Sequence, residues 1–300
     1  MSTTLPYFTD SATVPAKLPT VAALPYFADS ATVPAKLPTV AEIISSQEFL
    51  RNSTGHKVVG IGYHFVVKYG PRVDLLEGET MRFLEHSTSI PVPRVYAIFQ
   101  DHDTQHNYII MERIWGETLA SVWPRMDNNE KEATVSALRS SLEQMRKLKS
   151  PGGYCRLGHH GLPDEIFCTA DPLHTGRFDT ESDLNDALIA RYIESGLSKF
   201  KADFYSRVFK RVFRDHEPVF THADFQRKNI MVRNHGEMQS KIVIIDWETA
   251  GWYPSYWEYV IAIFTCGRFS DDWDYWVDRM LEPALNEYPW MHMFLLEMWS

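Results

Sequence analysis

Apolar and polar positions alternate through KVVGIGYHFVVKYG (57–70), with β-branched residues on both sides of a glycine-containing turn, and this predicts a β-hairpin. The period then changes. In DLLEGETMRFLEHS (74–87) Leu76, Met81, Phe83 and Leu84 recur at helical spacing. IPVPRVYAIFQ (90–100) must begin extended, because a residue before proline is pushed out of the helical region, and NYIIMERI (107–114) reads as another strand. A small sheet with one inserted helix follows from these stretches. Beyond it, NNEKEATVSALRSSLEQMRKLKS (128–150) predicts a long helix that ends before Pro151-Gly152-Gly153, and residues 181–213 carry more helix. Within them Phe200, Phe204, Val208 and Val212 form one stripe, which predicts an amphipathic helix of the lobe rather than a basic docking face. Two short apolar strands, Ile230–Val232 and Ile242–Ile245, precede aromatic-rich helix from Trp257 onward. The pattern is a mainly β lobe, a connector and a mainly α lobe.

Before the β lobe lies a repeat. LPYFTDSATVPAKLPTVAA (5–23) runs directly into LPYFADSATVPAKLPTVAE (24–42), and only Thr9/Ala28 and Ala23/Glu42 differ. Two proline-interrupted units cannot bury a shared face as a solenoid does. The repeat reads as a tandem duplication in a Pro-rich N-terminal arm, residues 1–41, expected to be loosely ordered with one copy dispensable. The remaining boundaries fall at 42–112 for the β-rich lobe and 113–300 for the helical lobe.

Composition narrows the partners. The formal net charge of −9 does not suit a nucleic-acid partner, whose phosphates need a basic face, and is compatible with a cationic small substrate. Cys155, Cys168 and Cys266 lack metal-finger spacing and are odd in number, which points to a reducing compartment rather than a disulfide framework or a zinc site. The N-terminus has no basic region followed by an apolar one, and the apolar run at Val260–Phe264 is far short of a membrane span. A cytoplasmic protein without a membrane partner is expected.

Candidate chemistry concentrates in THADFQRKNIMV (221–232), where His222, Asp224 and Asn229 lie in polar text between apolar strands, and in IVIIDWE (242–248), which holds Asp246. Asn234-His235-Gly236 is a hairpin signal, and a hairpin brings Asn229 toward Asp246. A side-chain carbonyl and a carboxylate are hard oxygen ligands suited to Mg2+, which keeps waters and takes phosphate oxygens. Asp224, just upstream, is placed to accept a proton from a substrate hydroxyl. A His-x-Asp-x4-Asn run joined to a later metal aspartate is the arrangement of the kinase catalytic loop in phosphoryl transfer. His222 belongs to that catalytic loop in the role of holding it, more than as acid or base. Glu248 either adds to the metal geometry or is solvated.

With these motifs, and with IIDWETAGWYPSYWEYV (244–260) and TSIPVPRVYAIF (88–99), the chain resembles the aminoglycoside phosphotransferase family, its fungal branch above all, over about residues 50–265. The resemblance implies an α+β, protein-kinase-like two-lobed fold. It implies ATP and Mg2+ as cofactors and transfer of the γ-phosphoryl to a hydroxyl of a small molecule. It gives Asp224 the role of base, and Asn229 and Asp246 that of metal ligands; Ala223 stands where the family often has glycine. Lys68, a charge in mid-strand, would contact the α- and β-phosphates in such a lobe. Glu77, which shares a helix face with Met81 and Leu84, would hold it in preference to Glu79. Ser53, Thr54 and Gly55 in NSTGH (52–56) offer hydroxyls and backbone N–H groups to phosphate. On the family's example alone, backbone near Glu112 and Ile114 pairs with adenine. The cluster Asp271, Asp272, Asp274 and Asp278 lies where the family places substrate-binding helices, although aspartates at a helix start account for it without a ligand. The acceptor pocket falls to the helical lobe and the 152–167 loop. The competing class is a nucleotide-binding pseudokinase without turnover; the joint presence of base, metal ligands and lysine argues for an enzyme.

Overall fold

A computed structural model describes residues 24–163, 165–167, 176–233, 241–266, 269 and 271–299. The alternating stretches form β1 (Tyr26–Phe27), β2 (Phe49–Ser53), β3 (His56–Ile61), β4 (Phe65–Gly70), β5 (Val95–Gln100) and β6 (Asn107–Glu112). They pair antiparallel in the order β1-β5-β6-β4-β3-β2. Side chains alternate between the faces of such a sheet. Ile98 and Ile109 accordingly join the core that holds Met81 and Leu84 of the inserted helix, while Ala97 and Ile110 belong to a separate core on the other face.

That second core is covered by an element not expected to be ordered. The second repeat copy lies against it through Val33, Leu37 and Val40, after Tyr26 and Phe27 have paired with Ile98 and Ala97. Thr39 caps the short helix α1 (Val40–Ser45), and Glu42 returns the bond to the Thr39 N–H, closing a capping box that places Ile43 in the core. Residues 24–41 therefore differ from the loose arm that their prolines suggested, because their apolar residues pack, together with Ile43, on one face of the sheet. The first copy lies outside the described residues.

The inserted helix is α2 (Leu76–Ser87). From β6 the chain crosses to β7 (Gly116–Thr118) and the helical lobe, with α3 (Leu119–Val122), α4 (Asn128–Arg146), α5 (Glu181–Glu194) and α6 (Lys199–Val212). On α6 the buried stripe is Ala202, Tyr205 and Phe209, not the one expected; Phe200 is 91% exposed. The rings of Tyr205 and Phe209 pack on Phe294, and this fixes the rotation of the helix. The strands β8 (Pro218–Thr221), β9 (Ile230–Arg233), β10 (Ile242–Ile244) and β11 (Gly251–Pro254) follow, then α7 (Trp257–Phe264), α8 (Trp273–Met280) and α9 (Tyr288–Met298). β9 pairs with β10 in the register Ile242↔Val232, as the hairpin reading required; its turn at 234–236 lies outside the described residues. No helix among the described residues is long and apolar enough to cross a membrane.

One half-buried histidine gives this lobe a pH dependence. His216 Nδ1 lies 2.7 Å from Glu181 Oε1, and its Nε2 3.4 Å from Glu287 Oε1. Burial lowers its pKa, but the two carboxylates outweigh burial and raise it above the usual value. A raised folded-state pKa stabilises the fold below the unfolded value, about 6.5, and that contribution is lost as pH rises through the folded value. The melting temperature is expected to fall as pH rises across this range, and the step to disappear in His216→Asn, as followed by circular dichroism.

Candidate active site

Lys68 stands in the middle of β4, paired with Ile109 of β6, so its side chain leaves the sheet on the α2 face. Its ammonium is 4% exposed and lies 2.7 Å from Glu77 Oε2, 3.1 Å from Asp246 Oδ1 and 2.7 Å from Glu248 Oε2. Burial opposes the charge, yet the three carboxylates together raise the lysine pKa above its usual value. Glu77 is thus the helix glutamate that reaches the lysine. Glu79 pairs instead with Arg82 on its own helix. Asp246 is likewise opposed by burial but held below the usual carboxylate range by Lys68 and by Arg51, whose Nη1 lies 3.5 Å from Oδ2.

The facing loop is built around His222, which is fully buried. Its Nδ1 accepts the Asp224 N–H at 3.2 Å, and its Nε2 lies 3.0 Å from the Ile245 carbonyl, to which it donates. These two bonds require the neutral Nε2–H form, consistent with burial pushing the pKa down. Asn229 donates its amide to the Asp224 carbonyl at 3.0 Å and to Asp224 Oδ2 at 2.7 Å. The Asn229 carbonyl accepts the Ile245 N–H at 2.9 Å, which brings the two halves of the motif together as the spacing implied. Lys228 Nζ stands 3.5 Å from Asp224 Oδ2, and Gln226 donates to Oδ1.

Ala223 sits at φ 62°, in the left-handed region where a Cβ costs about 1 kcal/mol. Ala223→Gly should therefore raise the unfolding free energy by up to about 1 kcal/mol without loss of activity, as read from urea unfolding.

Sequence reasoning missed the group that holds this strained turn. Glu258 accepts the His222 N–H at 2.6 Å and the Ala223 N–H at 3.1 Å. Burial pushes its pKa up to about 7 against those two bonds. The signal was present, since Glu258 is the one charged residue in the apolar run WEYVIAIF. Arg156 was also missed: it is buried, pairs with Asp74 ahead of α2 and donates to the Glu248 carbonyl at 3.0 Å, tying the 152–167 loop to the lysine cluster.

The other expected residues are spread around this centre. Ser53, Thr54 and Gly55 form the turn from β2 to β3, with Gly55 at φ 103° and the Ser53 hydroxyl turned onto His56. Glu112 closes β6 with Ile114 just beyond it. The Glu112 side chain pairs with Arg233, and its N–H is donated to the Arg94 carbonyl, so that N–H is not available to a base. In the acidic cluster, Asp271 pairs with Arg227 and accepts the Trp273 N–H. Asp272 accepts from Trp123, Trp276 and Lys131; burial opposes its charge, but these donors hold it down to about 2. Asp278 accepts from Tyr259. These bonds account for three of the four aspartates within the fold.

A hard cation has a fitting donor set here. Glu77, Asp246 and Glu248 each place a carboxylate oxygen within 4.8 Å of the others, and Asn229, whose amide nitrogen is committed to Asp224, keeps its carbonyl oxygen for other partners.

The sequence profile of the Phosphotransferase enzyme family matches residues 61–294. The chain belongs to this family. A comparison with curated protein sequences found no match. Among solved structures, a thermostable mutant of aminoglycoside phosphotransferase APH(4)-Ia, in a ternary complex with AMP-PNP and hygromycin B, is similar at a TM-score of 0.58 and 17% identity, over 85% of each chain. The streptomycin-ATP-APH(2")-IIa ternary complex is similar at a TM-score of 0.53 and 15% identity, over 85% of this chain and 86% of that one. The GDP complex of wild-type aminoglycoside 2'-phosphotransferase-IIIa gives 0.56 and 14%, over 84% and 83%. The fold of this phosphotransferase family member is the kinase-like α+β fold, with a β-rich N-terminal region and a helical C-terminal region.

Proposed function

We propose that this protein transfers the γ-phosphoryl of ATP to a hydroxyl of a small molecule. The observation that carries the reading is the convergence of Lys68, Glu77 and Asp246 from the β lobe and the β10–β11 segment on a catalytic loop that presents Asp224 and Asn229. Lys68 orients the phosphates, and Glu77 keeps its ammonium in place. Asn229 and Asp246, with Glu248 beside them, hold Mg2+, which when bound neutralises charge on the phosphate oxygens. Asp224 receives the acceptor's hydroxyl proton on a carboxylate oriented by Asn229 and Gln226. His222 and Glu258 keep that loop in place and take no proton from the acceptor. Arg51, the turn at Ser53–Gly55 and backbone beyond Glu112 complete the nucleotide side. Phosphoryl transfer depends mostly on positioning and charge, so these few groups suffice.

The protein is to be tested for Mg2+-dependent ATP consumption across amino alcohols, aminoglycosides and aromatic alcohols, with Asp224→Ala as control. Acceptor-dependent consumption that the control abolishes supports the reading. Nucleotide binding with no consumption for any acceptor would replace it with a binding protein that has lost turnover. Failure to bind Mg-nucleotide at all would sink both.

A further inference from the structure

The repeat found in the sequence has no part in the chemistry above, yet its second copy touches the helix that carries Glu77. One direct contact reaches that helix, and a second path runs through β5. The Arg82 guanidinium on α2 lies 3.3 Å from the centroid of the Tyr26 ring, and the same guanidinium donates to Glu79 Oε1 at 3.1 Å and to Oε2 at 3.3 Å. Separately, Tyr26 pairs with Ile98 on β5, and the Ile98 side chain packs so closely on Gly78 that a Cβ there would lie 2.8 Å from Ile98 Cδ1. Gly78 and Glu79 are the two residues that follow Glu77. Arg82 is only 17% exposed and Glu79 4%, so this stack is shielded from the screening that weakens surface pairs.

We infer that Tyr26 is a positioning residue for the nucleotide site: the second repeat copy clamps α2 against β5 and so fixes the Glu77 carboxylate that holds Lys68. The inference rests on the reading of Lys68 as the phosphate-orienting residue. Along its strand Tyr26 is followed by Phe27, stacked on Phe99, and by Ala28, whose N–H is donated to the Tyr96 carbonyl, so the ring is anchored on the sheet independently of α2. The first copy carries the same residue as Tyr7, which any test must take into account.

The test uses the full chain with both tyrosines changed, so that neither copy supplies the ring, and reads the dissociation constant of a fluorescent ATP analogue with Mg2+. Tyr7→Ala/Tyr26→Ala is expected to weaken nucleotide binding by about three- to tenfold, and Tyr7→Phe/Tyr26→Phe, which keeps the ring face, to stay within about twofold of the parent. A purely structural role would lower the melting temperature of the alanine pair and leave the dissociation constant unchanged, and that result overturns the proposal. Equal losses in the alanine and phenylalanine pairs also overturn it. If the alanine pair does not fold, Arg82→Met removes the same stack from the helix side and must show the same weakening. Absence of nucleotide binding in the parent protein would strike the proposed function, whereas equal binding by parent and variants strikes the clamp alone.

Discussion

Asp224→Ala is expected to slow phosphoryl transfer by about 10²- to 10⁴-fold, the usual worth of a positioned general base, while nucleotide affinity changes little. The separation follows from the geometry. Asp224 is held by Asn229, Gln226 and Lys228 on the loop side, whereas Lys68 is held by Glu77, Asp246 and Glu248 across from it. Removing the Asp224 carboxylate takes away a proton acceptor and leaves the lysine cluster whole. Single-turnover rates, set beside a nucleotide titration, check both halves. Unchanged rates in the variant would mean that another group accepts the proton.

Lys68→Met is expected to act on both the fold and the site. The ammonium is the buried counter-charge to Glu77, which is 2% exposed, and to Asp246. Breaking a buried ion pair from one side leaves the partner uncompensated, at about 3–5 kcal/mol. The variant should unfold at markedly lower urea and bind Mg-nucleotide weakly. Glu77→Gln/Lys68→Met should recover part of the stability and none of the binding, because the unpaired carboxylate is gone but the phosphate contact is not restored. If Lys68→Met keeps parental stability, the three short contacts do not carry the energy that their burial implies.

The parts of the site legible in the sequence were those written in local pattern. Asn229 and Asp246 were expected to approach because they bracket two short apolar strands, and the β9–β10 ladder brings those ends together. The choice of Glu77 over Glu79 followed from one helix face and needed only the 3.6-residue period. Glu258, Arg51 and Arg156 escaped because each reaches its partner from a distant segment, and periodicity carries no information about such contacts. The same limit explains the repeat. Its prolines and low complexity describe a chain that does not fold alone, but its Val33, Leu37 and Val40 pack on a sheet face, a fact that exists only once the sheet is formed. The stripe on α6 failed for a related reason: two apolar stripes were available, and the neighbours on α9 decided between them.

The two bonds of the His222 ring also constrain motion. One nitrogen is fixed to the Asp224 N–H and the other to the Ile245 carbonyl, with the Asn229 carbonyl bonded to the Ile245 N–H beside them. The loop bearing Asp224 and the segment bearing Asp246 are therefore tied into one unit. What joins that unit to the β lobe is the reach of Lys68 to Asp246 and Glu248. Any separation of β4 from the segment that bears Asp246 must stretch those two contacts while the bonds of the histidine ring hold.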